Sequence, residues 1–398
     1  MRHDALPPRP AATRLALALA LAFLASCGGG VDSGGTGTTV GYAAGPITGF
    51  GSVIVNGVRY DERSAEIRDD DERLRSSADL RLGMLTEIVA SAPVSTAGGV
   101  VATASALHYR SQLIGPVERV DAAAGRLTVL GQAVRITAST VIDSALAGGV
   151  AALAPGDVVE VYAQYDSAAA SHVATRVQRA GDVRSYKLRG PVAALSLSDR
   201  TLTVGTLVIS YAAVAPADPA NTLAVGQRLR IRLATAPVGA VWQATAISAA
   251  DTPLADREFA EVEGRITRYT SAADFAVDDL PVDARSASFP DGQAGLAQGA
   301  RVEVEGRIAA GTLVANKVKV EGDDDEGPEG FELHGAISAA NSTARTFVVR
   351  GVTVAYDDTT TFEDGDAGDI ADGRQVEVRG ALSTDGTELR ATTIHVEK

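Results

Sequence analysis

The chain has 398 residues, of which 45% are hydrophobic and 5% aromatic, so it is too long for one small domain and too apolar to be disordered. Its formal charge is −14, and about −16 once residues 1–26 are set aside. So acidic a surface repels phosphate backbones, and nucleic acid is not expected as a partner.

The first 14 residues carry Arg2, Arg9 and Arg14, and the apolar run LALALALAFL follows from Leu15 to Leu24. Ten apolar residues make a signal-peptide core and are too few to span a bilayer as a helix. The run ends in Leu24-Ala25-Ser26-Cys27, which resembles the bacterial lipobox. Cleavage is expected between Ser26 and Cys27, with Cys27 lipidated. Cys27 is the only cysteine, so no disulfide can form within the chain. The following residue is Gly28 rather than Asp, which favours the outer membrane. Residues 1–26 are thus read as a signal peptide, and 27–44, rich in Gly, Ser and Thr, as the lipidated cysteine and a flexible tether. The expected location is the cell envelope, with the membrane engaged through the acyl anchor.

Five related copies follow. Each opens on Gly, one residue, then an aliphatic, at Gly45, Gly115, Gly190, Gly264 and Gly335, spaced by 70, 75, 74 and 71 residues. Two short alternating runs come next, such as RLTVLG from Arg126 and VRITA from Val134. An irregular polar segment leads into the most recognisable stretch, LAQGARVEVEG from Leu296, which recurs from Leu80, Leu153, Leu223 and Ile370. A last run carries a central Ala, as in LVANKVKV from Leu313. Alternation predicts five short strands per copy, each with one apolar face. An open five-stranded sheet would leave that face and two edges uncovered, whereas a small barrel covers both. The expected fold is therefore all-β: five tandem, five-stranded, OB-like barrels over residues 45–111, 112–180, 187–250, 259–321 and 331–398 (repeats 1 to 5). Linkers are read at 181–185, 251–258 and 322–330, and the arrangement is left open between a rod and a bent string. The run Asp69 to Ser77 takes the place of an OB helix and is expected as a polar loop or hairpin.

GPITGFGSVIVNGVRYD from Gly45, with the later G-x-I, F-x-V and L-x-x-G-x-x-V-E-V-x-G pattern, resembles the bacterial family called domain of unknown function 5666 over residues 45–397. The resemblance implies small β-barrel units on secreted or lipid-anchored proteins and brings no established activity. Repeat 1 departs from the pattern at Thr86, and repeat 3 at Arg230, where the others have Glu.

No G-x-S-x-G, H-E-x-x-H, Walker A or S-x-x-K motif is present, so no catalytic residue is assigned, no cofactor is expected, and a non-enzymatic role is preferred. His108, His334 and His395 fall on outward positions; His172 aligns with inward Leu313, Leu389 and Trp242 and is expected at a barrel end with its ring partly wet. The acidic runs at Asp69–Glu72 and Asp323–Glu326 read as solvated charge. Asp364, Asp366 and Asp369, with Glu363, are the residues that could offer oxygen to Ca²⁺, but the EF-hand spacing is missing. The preferred function is a lipid-anchored spacer or protein-interaction module with an envelope protein as partner. The alternatives are a ligand-binding protein, for Ca²⁺ or an oligosaccharide, acting through barrel loops, and a hydrolase with an unrecognised carboxylate site.

Overall fold

In the computed structural model, which describes residues 40–181, 183–214, 223–250, 254–322 and 330–397, alternation decides the strands. Within Arg301–Ala309, Val302, Val304 and Ile308 are buried while Glu303 and Glu305 lie on the wetter face. The described residues hold β-strands and three short 3-10 turns, Ser77–Asp79, Gly149–Ala152 and Ala367–Asp369, and no α-helix.

The last repeat shows how the sheet closes. Phe331–Ala336 runs on into Ser338–Asn341, which pairs with Thr346–Val349. That strand pairs with Val352–Ala355, which lies parallel to Glu388–Val396. Glu388–Val396 pairs with Gln375–Leu382, and this strand returns to Phe331–Ala336, closing a five-stranded barrel. The same order of pairings recurs in repeat 2, repeat 3 and repeat 4. In repeat 1 it is made by Val40–Pro46 with Gly49–Phe50, Val53–Val55, Val58–Asp61, Gly99–Tyr109 and Leu85–Ser91.

Two local devices bend these sheets. The ladder between the fourth and fifth strands shifts register at Val89/Ala90, Tyr162/Ala163, Arg232/Leu233, Glu305/Gly306 and Arg379/Gly380, one bulge in each copy. The central Ala of the last strand (Ala104, Ala174, Ala244, Ala315 or Ala391) faces that bulge. The opening glycine lies under the turn that joins the second and third strands. A Cβ on Gly115 would fall 2.4 Å from Leu130 Cγ, and one on Gly264 would fall 2.4 Å from Asp278 Oδ2.

The repeats do not follow one another like beads. Val40–Pro46 pairs in parallel with Arg257–Ser271, and Gly49–Phe50 in parallel with Phe331–Ala336, so repeat 1 joins repeats 4 and 5. Leu113–Asp121 pairs with Tyr186–Ser196, joining repeats 2 and 3. The apolar cores merge accordingly. One core takes in repeats 1 and 5 with Val141 and Tyr162 of repeat 2, a second takes in repeats 2 and 3, and a third is repeat 4 with Tyr42 of repeat 1. A lone barrel of this length buries only about 60% of its unfolded surface, and shared cores offset that deficit.

Three readings change here. Residues 40–44, expected as part of the tether, belong instead to the strand Val40–Pro46, with Tyr42 and Ala43 buried, because both of its edges are paired. The linker at 251–258 ends early, since Arg257–Ser271 starts at Arg257, where it meets Ile308. The acidic run Asp69–Glu72 is not simply solvated. Glu66–Arg68 and Leu74–Arg75 form the expected hairpin, but Asp70 at its tip is buried against repeat 3.

Candidate binding cleft at the junction of repeats 1, 3 and 4

The turn between the second and third strands recurs as Asn56-Gly57, Leu130-Gly131 and Arg350-Gly351, each with positive φ at both residues. Two-residue hairpins of this kind call for glycine or Asn, since other side chains resist φ above zero. Repeat 4 instead has Asp278 at φ 45° and Asp279 at φ 70°. A non-glycine residue held there costs on the order of 1 kcal/mol and needs compensation. For Asp279 it comes from repeat 3: Arg228 Nε lies 2.7 Å from its Oδ2. Arg228 in turn lies over the Tyr165 ring of repeat 2, 4.9 Å from the centroid.

Asp278 stands over Gly264 at the floor of a cleft of about 300 Å³ walled by Tyr42, Leu254, Val262, Leu280 and Pro281, with Glu87 and Arg110 at one side. Glu87 and Arg110 pair at 2.8 Å. Burial pushes the Asp278 carboxyl up to about 6, and the neighbouring Asp279 charge adds to this; Arg228, Arg110 and a hydrogen bond from the Arg265 backbone pull the other way. Behind Asp278 and Arg110 lies an inner chamber of about 30 Å³ lined also by Gln112, Tyr165, Arg189 and Arg228. Gln112 is 7% exposed, and its buried Oε1 accepts no hydrogen bond. The buried Nη1 of Arg228 donates none.

Beside this cleft an ionic lock holds repeats 1 and 3. Lys187 Nζ donates to Asp70 Oδ2 at 2.6 Å and Arg189 Nη2 to Asp70 Oδ1 at 2.5 Å, while Arg230 bonds Asp71 at 2.6 Å and Arg232 bonds Asp71 as well. Burial alone would raise the Asp70 carboxyl; Lys187, Arg189 and Arg230 outweigh it and hold it well below the usual carboxylate range. The departure at Arg230 thus has its reason, since it faces the Asp70-Asp71 tip. Thr86 is likewise accounted for, buried with its hydroxyl donating to the Gly45 carbonyl at 3.2 Å.

Ser26 and Cys27 lie outside the described residues. Asp366 and Asp369 act as a capping box for Ala367–Asp369, while Glu363 and Asp364 approach His395 at 3.9 and 3.6 Å. Among the described residues no three His, Cys, Asp or Glu side chains gather as a metal site. His108 meets the Asp69 carbonyl at 2.8 Å and His334 meets Glu397 at 2.7 Å. His172 is drier than expected: it is 1% exposed, both ring nitrogens lack partners, and burial followed by the nearby Arg228 charge lowers its pKa to about 3. Tyr165 packs edge-on against it at 5.2 Å. Trp242 is only partly buried, tilted against Tyr186 at 5.8 Å. A larger hollow of about 540 Å³ lies between Ser144–Gly148 and Ser383–Arg390. Its Ser383, Asp385 and Thr387 bond one another.

The cleft residues Asp278, Asp279, Arg228 and Gln112 were not singled out by the sequence. The signal available was the Asp-Asp pair where other copies have a glycine-containing turn.

A closed five-stranded barrel with a recurring pairing order defines an all-β protein built from a repeated barrel unit. The family described as domain of unknown function (DUF5666) matches residues 114–178, 263–319 and 334–395, so the chain carries this domain in repeats 2, 4 and 5. The two copies outside the matches are those that depart at Thr86 and Arg230. No curated protein matches the chain. No helix among the described residues is long and apolar enough to cross a membrane.

Proposed function

We propose that the chain is a non-enzymatic module of the cell envelope, held by a lipid on Cys27, that presents five barrels as one body to a protein partner. The observation behind this reading is the cross-repeat bonding of Asp70 to Lys187 and Arg189, which stiffens the body rather than forming a reaction centre. An anchor with more than one acyl chain, at about 0.8 kcal/mol per buried methylene, would hold such a body at a membrane permanently. Labelling cells with a fatty-acid analogue should mark the wild type and spare Cys27→Ser; equal label in both refutes the anchor. Purification from envelopes with the anchor intact should recover a protein in fixed proportion to the chain, and recovery of the chain alone refutes the interaction role.

A second reading is favoured by the junction cleft. Its volume of about 300 Å³ and its apolar walls with few polar groups suit a small ligand. Specificity would then reside in loops that differ between copies, as the Asp278-Asp279 turn does.

A further inference from the structure

We propose that the cleft between repeats 1, 3 and 4 binds a small organic cation, a primary ammonium group on an apolar body, with the ammonium between Asp278 and Gln112. The proposal rests on the ligand-binding reading of this cleft and names what the ligand must be.

Charge is the first argument. Arg110 is matched by Glu87 at 2.8 Å and Arg228 by Asp279 at 2.7 Å. Of the other charged groups lining the inner chamber, Arg189 is held by Asp70 at 2.5 Å and Glu263 by Arg301 at 2.7 Å, so of the chamber's two carboxylates Asp278 is the one left to a ligand. The Asp278 carboxyl is already raised to about 6 by burial, and a cation beside it would offset that desolvation.

Hydrogen bonding is the second. Gln112 Oε1 is a buried acceptor without a donor, on the wall of the same chamber that Asp278 lines. An ammonium carries three donors and no acceptor, so it serves both oxygens at once, which a carboxylate or an ether cannot. The chamber of about 30 Å³ has room for about two water-sized groups. One is the ammonium; the other is a water that accepts from Arg228 Nη1, which is buried without an acceptor. A desolvated Ca²⁺ would need about six to eight oxygens, more than this chamber offers.

Shape is the third. Outside the chamber the apolar walls are Tyr42, Leu254, Val262, Leu280 and Pro281, which suit an aliphatic chain, and the charged groups at the side, Glu87 and Arg110, are paired with each other. Finally, the turn that presents Asp278 is the one that replaces glycine at φ 70° and is held by a salt bridge from another repeat. Asp278 is therefore fixed in place before any ligand arrives.

The test is titration calorimetry on the full mature chain with n-butylammonium, butyrate, 1-butanol and Ca²⁺ as separate probes. Saturable heat is expected with n-butylammonium alone, weakened at least tenfold in Asp278→Asn. That variant keeps the turn, because Asn56 holds the corresponding place in repeat 1 at φ 52°. Leu280→Trp, which fills the outer cleft, should also abolish binding, and its circular dichroism and melting temperature serve as the fold control. Equal affinity in wild type and Asp278→Asn, or tighter binding of butyrate or Ca²⁺, overturns the cation proposal. Binding of 1-butanol lost in Leu280→Trp but unchanged in Asp278→Asn overturns the cation while leaving the cleft as a binding site. No saturable heat with any probe overturns both.

Discussion

Asp70 and Lys187 are 117 residues apart in sequence and bonded at 2.6 Å, both buried, one on the hairpin of repeat 1 and the other on the first strand of repeat 3. Arg189 completes the contact from the same strand. Removing one partner of a buried ion pair costs more than the pair contributes, because a desolvated charge is left alone. Asp70→Ala should therefore lower stability by about 3–5 kcal/mol, read from the midpoint of urea unfolding. Joint replacement with Asp70→Leu and Lys187→Met should recover part of that loss. A single-variant loss below about 1 kcal/mol, the range of surface pairs, would remove the lock from the account.

His172 occupies the place that Leu313 and Leu389 take in repeats 4 and 5, and each is paired in parallel with the third strand. Two buried nitrogens without partners cost about 1–3 kcal/mol each. His172→Leu should raise the melting temperature at neutral pH. With a folded pKa of about 3 against the ordinary 6.5 of a histidine, the unfolded chain takes the proton first. Stability from this site is complete above 6.5 and falls as pH drops toward 3, so wild type and variant should diverge across that window. Parallel acid limbs would contradict the buried placement.

Glu261 titrates in the opposite sense. Burial first, and then the charges of Glu303 and Glu305, push it up to about 8 from 4.5. The folded state therefore holds the proton more tightly, so the contribution is complete below 4.5 and lost as pH rises to 8. Glu261→Gln should flatten the pH dependence of unfolding between those limits. A slope equal to that of wild type would mean that Glu261 is charged in the folded protein.

The two glycines Gly115 and Gly335 open their repeats in the same way but stand under different turns. Gly115 would place a Cβ 2.4 Å from Leu130 Cγ, whereas the nearest atom to a Cβ on Gly335 is Val349 Cγ1 at 3.4 Å. Overpacking of the first kind costs about 1–3 kcal/mol. Gly115→Ala should show such a loss in chemical denaturation and Gly335→Ala should stay within about 0.5 kcal/mol. The reverse order would mean that the turns do not press on the opening glycines.

Period-two alternation was enough to place Val302, Val304 and their counterparts inward and to argue closure into a barrel, because side-chain direction along a strand is local. The hairpin at Asp69–Ser77 was legible for the same reason, through its turn residues. The burial of Asp70 was not, since its partners Lys187, Arg189 and Arg230 come from another repeat and look like ordinary outward strand residues. His172 was placed inward correctly, but its dryness depends on how Tyr165 and Arg228 cover it. The cleft was hidden for a related reason. Asp278-Asp279 reads as a polar turn until Arg228 and Arg110 of other repeats are brought to it. Arg230 did leave a trace, as a break in the repeated pattern that its Asp71 contact explains.

The first described strand, Val40–Pro46, has one neighbour close in sequence, Leu85–Ser91, and one more than 200 residues downstream, Arg257–Ser271. Gly49–Phe50 waits longer still, for Phe331–Ala336. A chain emerging from the ribosome end first makes repeat 1 early but cannot finish its edges until the last third has been made. Such distant pairings slow folding, and in the interval the unfilled edges invite strands from other molecules. Chains cut short after repeat 3 should inherit that exposure permanently, so repeats 4 and 5 act as a seal on the edges of repeat 1.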